Sequence, residues 1–291
     1  MFRQLIRTGL SPARRMQLSR RTTSKLYHKV ELKIRAGYVI VTPFMGLREE
    51  FEKTGTWLFQ RRSYLPLLLT GLFLIALKNF RYPHQSHPLD EEWGFFCLAL
   101  SLVGLGIRIL TIGYAPEGTS GRGTEAPNAS TLNTTGMYSL VRHPLYLGNF
   151  TIWLGVTLSV RFGWFAVVSI LIFWLYYERI MFAEEEFLRK KFADAYLNWA
   201  ARTPTFLPRF KNWKKPACPF SLKKVLRKEY SGFFGIIAIY TALEILEDWI
   251  VNHQLHLDKT WQAIFAVGLA VYVTLRFLKK KTRLLEDEKG S

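Results

Sequence analysis

Six long apolar runs, parted by connections crowded with Lys and Arg, constrain this 291-residue chain more than any other feature. A helix needs about 20 apolar residues, rising roughly 1.5 Å each, to cross the hydrocarbon core of a bilayer. The runs lie at 64–80, 93–113, 145–160, 162–182, 230–251 and 261–278. The third is short, and only a tight turn around Arg161, Phe162 and Gly163 parts it from the fourth. Those two form a tight antiparallel helical hairpin. No internal repeat occurs, and period-two alternation is too weak for a sheet. The chain is thus expected to be all-α, a polytopic integral membrane protein with about six transmembrane helices.

Charge sets the orientation. A net charge of +18 would also suit a nucleic-acid binder, but there the basic residues share one polar face beside an ordinary core. Here they sit between apolar runs, so no nucleic-acid partner is expected. Basic residues stay on the cytoplasmic side. With both termini inside, the cytoplasmic segments hold 33 of the 40 Lys and Arg, and the outer connections hold only Arg81, Arg161 and Lys259. Hydrophobic residues at 49% exclude a disordered chain. Cys97 and Cys218 are the only cysteines, too few for a disulfide framework, a Cys-rich zinc site or a thioredoxin-like pair.

Four segments follow: a basic arm over 1–63, two transmembrane helices over 64–113, a core over 114–210 with a loop and the hairpin, and an extension with two further spans over 211–291. The first thirty residues carry eight Arg or Lys and no acid, with Phe2, Leu5, Ile6 and Leu10 at helical spacing opposite Arg3 and Arg7. An interfacial helix on anionic lipid and an organellar transit peptide both have this pattern, and the absence of a processing boundary favours the membrane surface. In the core, Gly118-Thr119-Ser120-Gly121-Arg122-Gly123-Thr124 has the glycines that let backbone amides converge and the hydroxyls and guanidinium, Gly121 and Arg122 among them, that receive a phosphate. A polar connector reads the same way.

Chemistry concentrates at the inner ends of the hairpin. Arg142-His143-Pro144 stands where a loop becomes a helix, with Pro144 in the first turn, where its missing N–H costs nothing. Free N–H donors there favour an anionic group. From the other helix emerge Glu178, Glu184, Glu185 and Glu186. A hairpin brings these opposite charges together, and such a socket holds a zwitterion. The plainer alternative has the glutamates pairing with Arg189, Lys190 and Lys191 along their own helix, and Arg142 as a positive-inside anchor.

The run Gly136-x-Tyr138-x3-Arg142-His143-Pro144-x-Tyr146-x-Gly148, followed by Glu184-Glu185-x2-Leu188-x3-Phe192-x3-Tyr196 and Arg202-x-Pro204-x2-Leu207-Pro208, resembles the catalytic half of the isoprenylcysteine carboxyl methyltransferases and their phospholipid methyltransferase relatives. The resemblance implies an integral membrane enzyme that uses S-adenosylmethionine at the cytoplasmic face and takes a membrane lipid or lipidated acceptor from the bilayer. The cytoplasmic face would be that of the inner membrane in a bacterium or of the endoplasmic reticulum in a eukaryote. It implies cofactor contacts at Tyr138, His143, Pro144, Tyr146, Glu184, Tyr196, Arg202, Pro204 and Leu207, and places Arg142 and Glu185 near the transferred methyl. Departures stand at Trp199, where a Tyr is usual, and at Ala193 and Phe206, which replace glycines. The chemistry fits independently: a cofactor with an ammonium, a carboxylate, a sulfonium and an adenine needs acids, cationic donors and aromatic walls, and no metal.

For an acidic acceptor, Arg142 orients the oxygen; for an amine, Glu185 receives a proton. The Gly-rich loop favours a phosphorylated headgroup, as in the lipid A phosphate methyltransferase branch of the same family. Glu244, Glu247 and Asp248 share a helical face in the fifth span, where they either touch a headgroup, pair with Arg108 inside the second span, or mark the helix leaving the membrane. Arg108 is the remaining candidate for substrate binding. His84, His87, His253 and His256 fall in two outer connections and read as surface residues or a metal cluster. The rival functions are an NADPH-dependent sterol-type reductase, a phospholipid amine N-methyltransferase and a non-catalytic scaffold.

Overall fold

A computed structural model describes residues 46–62, 64–78, 80, 87–116, 129–282 and 284–285, with backbone alone at 65–69 and 87–88. The amphipathic segment at the start of the arm and the loop bearing Gly121 and Arg122 lie outside the described residues, as does His84. Two compact units divide the chain, Met1–Glu50 and Phe51–Ser291. Described elements are all helical: α1 (Leu47–Gln60), α2 (Leu65–Leu77), α3 (His87–Gly113), α4 (Met137–Leu140), α5 (Pro144–Ser159), α6 (Gly163–Ala200), α7 (Leu222–Asn252) and α8 (Lys259–Lys281), with a 3₁₀ turn at Phe210–Asn212.

Each apolar run of the sequence becomes a helix, but among the described residues three helices, within Leu89–Gly113, Gly163–Ala200 and Lys259–Lys281, are long and apolar enough by themselves to cross a membrane. The other three differ. α2 has 13 residues and α5 has 16, short of the roughly 20 that a perpendicular crossing takes. α7 has 31 residues and carries buried Glu229, Glu247 and Asp248 among its apolar ones.

The second unit is built on the antiparallel pair α3 and α5. Gly104 and Gly148 face each other there so closely that a Cβ on Gly104 would lie 2.6 Å from the Gly148 carbonyl oxygen, and one on Gly148 would lie 2.8 Å from that of Gly104. Only hydrogen fits, and the close approach maximises dispersion contact between the backbones. Ser101 donates to the Ile152 carbonyl at 2.9 Å and hydrogen-bonds the Tyr240 hydroxyl at 2.9 Å, which ties α7 to the same seam. A core of Leu77, Phe80, Cys97, Leu105, Val156, Val160, Phe165, Ile236, Tyr240 and Trp261 fills the space between α2, α3, α5, α6, α7 and α8. Trp261, 1% exposed, stacks nearly parallel to Phe95 and Tyr240, with centroids 5.3 and 6.5 Å away.

α5 and α6 form the expected hairpin. Phe150 meets Phe173 and Tyr146 meets Tyr177, the descending pairs of an antiparallel arrangement. Arg161 makes the turn with a left-handed backbone, φ 61°, and its guanidinium pairs with Asp90 at 2.9 Å. At the opposite end α6 runs on past its apolar stretch to Ala200, with a break at Ala193 (φ 43°, ψ −119°). α1 lies antiparallel along α6 where the apolar stretch ends and beyond it: Phe51 touches Phe182, Tyr176 donates to the Leu58 carbonyl, Arg179 donates to Thr54, and Lys190 pairs with Glu52.

Candidate functional site

The α4–α5 junction is locally determined. Val141 is extended and His143 sits at φ −122° and ψ 63°, because the ring of Pro144 excludes the helical conformation from the residue before it. The chain therefore leaves the single turn of α4, crosses three non-helical residues with a bend at Arg142, and enters α5 at Pro144. Extended backbone needs outside partners for its N–H and C=O groups. The segment after α6 supplies them in antiparallel register: Arg142 N donates to Pro204 O at 2.8 Å, Arg209 N to Leu140 O at 3.0 Å, and Gly136 N to Lys214 O at 3.0 Å. This pairing holds the two halves of the sequence motif, 60 or more residues apart, side by side.

At this corner the opposite charges meet. Arg142 Nη1 donates to Glu185 Oε2 at 2.9 Å, and Arg142 Nη2 donates to the Thr205 hydroxyl. His143, 6% exposed, bridges both acids: Nε2 lies 2.9 Å from Glu185 Oε1, and Nδ1 lies 3.5 Å from Glu184 Oε2. Tyr146 donates to Glu184 Oε1 at 2.7 Å and stacks on the imidazole. Burial draws the His143 pKa down, but hydrogen bonds and the charges of Glu184 and Glu185 outweigh it and leave the value raised. Burial, with the Glu184 charge, pushes the Tyr138 hydroxyl well up, so Tyr138 remains a neutral donor.

Of the expected residues, Arg142, His143, Tyr146, Glu184 and Glu185 thus converge, and Pro144 and Pro204 hold the backbone beneath them. Tyr196 is buried beside Glu185 and Arg142, and Trp199 donates to the Tyr138 carbonyl at 3.1 Å. The break at Ala193 turns this last stretch of helix back toward the corner. Arg202 and Leu207 are exposed, and Arg202 enters through its carbonyl, which accepts from Asn212. Glu178 is exposed and Glu186 lies 3.7 Å from Arg189, so pairing along α6 takes Glu186 and leaves Glu184 and Glu185 to face α5.

Arg108 does not meet the acids of α7's outer half, as one of the sequence alternatives had it. Its guanidinium forks onto Glu229, with Nε to Oε2 at 2.8 Å and Nη2 to Oε1 at 2.7 Å, while Nη1 donates to Asn149 Oδ1 at 2.6 Å. Glu247 instead faces Asp90, Glu244 and Arg161, because α7 runs antiparallel to α3 and its second half reaches the other end of the unit. Among the described residues, no group of three His, Cys, Asp or Glu is placed to hold a metal.

Sequence reading missed Thr205, which holds Arg142, and took Phe206 only as a departure from the family pattern; it is buried with edge-to-face contacts to Phe150 and Trp174. It also missed Asn149 and Tyr177. Thr205 and Phe206 stand inside the Pro204–Pro208 motif, and that spacing was the available signal.

The corner suits the cofactor that the motif implies. Arg142 Nε is a buried donor with no partner, and buried donors are costly unless something accepts from them. The same small volume holds two carboxylates, an imidazole and the rings of Tyr138, Tyr146, Tyr196 and Trp199. An aminoacyl zwitterion joined to an adenine matches that donor set.

Comparison with known proteins agrees with the motif. Residues 95–195 match the phospholipid methyltransferase family, a stretch that runs from α3 into the last part of α6. The chain is 34% identical over 123 residues to a nickel-cobalt-cadmium resistance protein of Alcaligenes xylosoxydans xylosoxydans, covering 41% of this chain and 54% of that protein. It is 36% identical over 114 residues to a cobalt-zinc-cadmium resistance protein of Cupriavidus metallidurans, covering 38% and 50%. The chain therefore spans about half the length of these curated relatives. No solved structure matches significantly.

Proposed function

We propose, from the phospholipid methyltransferase segment at residues 95–195, that this protein is an integral membrane methyltransferase acting on an acidic headgroup, phosphate or carboxylate, of a membrane-embedded lipid or lipidated acceptor, with S-adenosylmethionine as donor. One observation carries the reading: Arg142 and His143 of one hairpin arm interlock with Glu184 and Glu185 of the other. In this reading the helices span the membrane about six times, both termini and the site face the cytoplasm, and the basic N-terminal arm rests on anionic lipid.

When bound, S-adenosylmethionine supplies an electrophilic methyl on sulfur. The protein binds, orients and dries the reactants. Glu184 would take the ammonium and His143 the carboxylate, and Tyr138, Tyr196 and Trp199 would wall the adenine; the N–H groups of Tyr146 and Leu147 at the start of α5 already donate to the His143 carbonyl. Arg142 holds the acceptor oxygen in line, a task worth several powers of ten in rate when the geometry is right. An acidic acceptor arrives deprotonated and needs no base. Glu185 keeps Arg142 oriented and balances its charge.

The test is mass spectrometry of total lipids from cells with and without the protein, together with labelled methyl transfer to extracted lipids. A gain of one methyl on an acidic headgroup, lost in Arg142→Ala and Glu185→Ala, is the expected result. Label confined to amine headgroups would overturn the acidic acceptor. Binding of NADPH but not of S-adenosylmethionine by the purified protein would favour the reductase.

A further inference from the structure

We infer that Glu229 and Arg108 are positioning residues for the cofactor corner, through which the C-terminal extension sets the affinity for S-adenosylmethionine; the inference rests on the methyltransferase reading. Glu229 lies on α7, beyond the family-matched residues 95–195. It is 4% exposed at the side chain against 19% for Arg108.

Four links join this pair to the corner. Both carboxylate oxygens of Glu229 accept from Arg108, which fixes the plane of the guanidinium. With the plane fixed, the directions of the Nη1 N–H groups are fixed too, and the side-chain Oδ1 of Asn149 accepts one of them at 2.6 Å. That bond sets the amide so that its Nδ2 faces the Tyr177 hydroxyl at 3.4 Å. Tyr177 in turn lies against Phe173 and Tyr146, with ring centroids 4.1 and 4.8 Å away, and Tyr146 donates to Glu184. Gly148 makes the first link possible: a Cβ there would lie 2.6 Å from Arg108 Cγ.

An ion pair is a poor adhesive for this place. Taking a guanidinium and a carboxylate out of water costs about as much as their attraction returns, and packed apolar side chains of the same volume join helices at least as well. What the bidentate pair adds is direction, since a planar fork on a carboxylate has a single orientation. Here that direction is handed through Asn149 to the two tyrosines under Glu184. A network of this kind acts as a unit, so its members are non-additive.

The experiment measures equilibrium binding of labelled S-adenosylmethionine to the full-length protein in detergent. Glu229→Gln keeps the shape and removes the charge; Asn149→Ala removes the relay. Each is expected to weaken binding on the order of fivefold, and the double variant no further than either single one, the signature of a shared path. Glu229→Asp is expected to restore part of the affinity. Trp261→Ala serves as a variant that loses stability at the opposite end of the unit. Equal affinity loss in Trp261→Ala at matched loss of thermal midpoint would make the effect merely structural and overturn the inference. Unchanged binding in Glu229→Gln, or losses that multiply in the double variant, would overturn it while the methyltransferase reading stands. A wild-type protein that binds no S-adenosylmethionine sinks that reading, and this inference with it.

Discussion

His143 is the residue whose environment makes the sharpest statement about pH. Its folded pKa is raised above an unfolded value of about 6.5. The protonated ring therefore contributes stability that is complete below about pH 6.5 and is lost as pH rises through the folded value. The thermal midpoint of the purified protein should fall across that window, and His143→Gln should flatten the fall; an unaltered slope would show that another group titrates. Glu185→Gln leaves Arg142 and His143 facing each other without their shared acid. It should cost about 2 kcal/mol, the scale of stranding a partly buried polar partner, while Glu178→Gln at an exposed position should cost nothing measurable. Ala193 holds a backbone conformation, φ 43°, that glycine adopts freely and a Cβ resists. Ala193→Gly should therefore raise stability by about 1 kcal/mol, and a loss would show that the break is not strained. At this scale the sequence was informative about charge and silent about direction: Arg142, His143, Glu184 and Glu185 stood out as a constellation, whereas Arg108 gave no sign whether Glu229 or the outer acids would take it.

Helices were legible as apolar runs, and their ends were not. Hydropathy reports which residues tolerate lipid, and a helix continues as long as its backbone bonds and one face are satisfied. α6 accordingly runs to Ala200, past the end of its apolar run at 182: α1 joins the last residues of that run, Phe59 sharing a core with Ile180 and Met181, and reaches beyond it where Glu52 pairs with Lys190. The α3–α5 seam makes a prediction at the same scale. Gly148→Ala forces the two backbones apart and displaces the Arg108 stem, which should cost about 1–3 kcal/mol, the usual penalty for overpacking. Gly163→Ala, where an added Cβ meets nothing, is the control that should leave stability intact. Unfolding of both variants in graded denaturant measures the difference.

Across the whole molecule, the C-terminal helices look peripheral and are not. Only 11% of the apolar window of α8 is buried, yet Trp261 from its first turn lies between Phe95 and Tyr240. Trp261→Ala should destabilise the protein by about 3–5 kcal/mol, against almost no effect for Trp249→Ala at an exposed site. Similar losses for the two would place α8 outside the cooperative unit.

What the sequence determined by itself was the helical class, the hairpin, and the gathering of a cationic loop and an acidic helix stretch at the same end of it, because each depends on local pattern: run length, a three-residue turn, and proline at a helix start. What only the tertiary structure decided was which charge meets which. Arg108 has acids on α7 at both ends of its reach in the chain, and the antiparallel run of α7 against α3 brings Glu229 to it and carries Glu247 away to Asp90. Likewise the segment at 204–209 reaches Arg142 through backbone pairing with Leu140 and Arg142, and main-chain hydrogen bonds carry no residue code. Side-chain chemistry is written along the chain; the direction in which a carboxylate or a carbonyl points is set by the neighbours that folding brings.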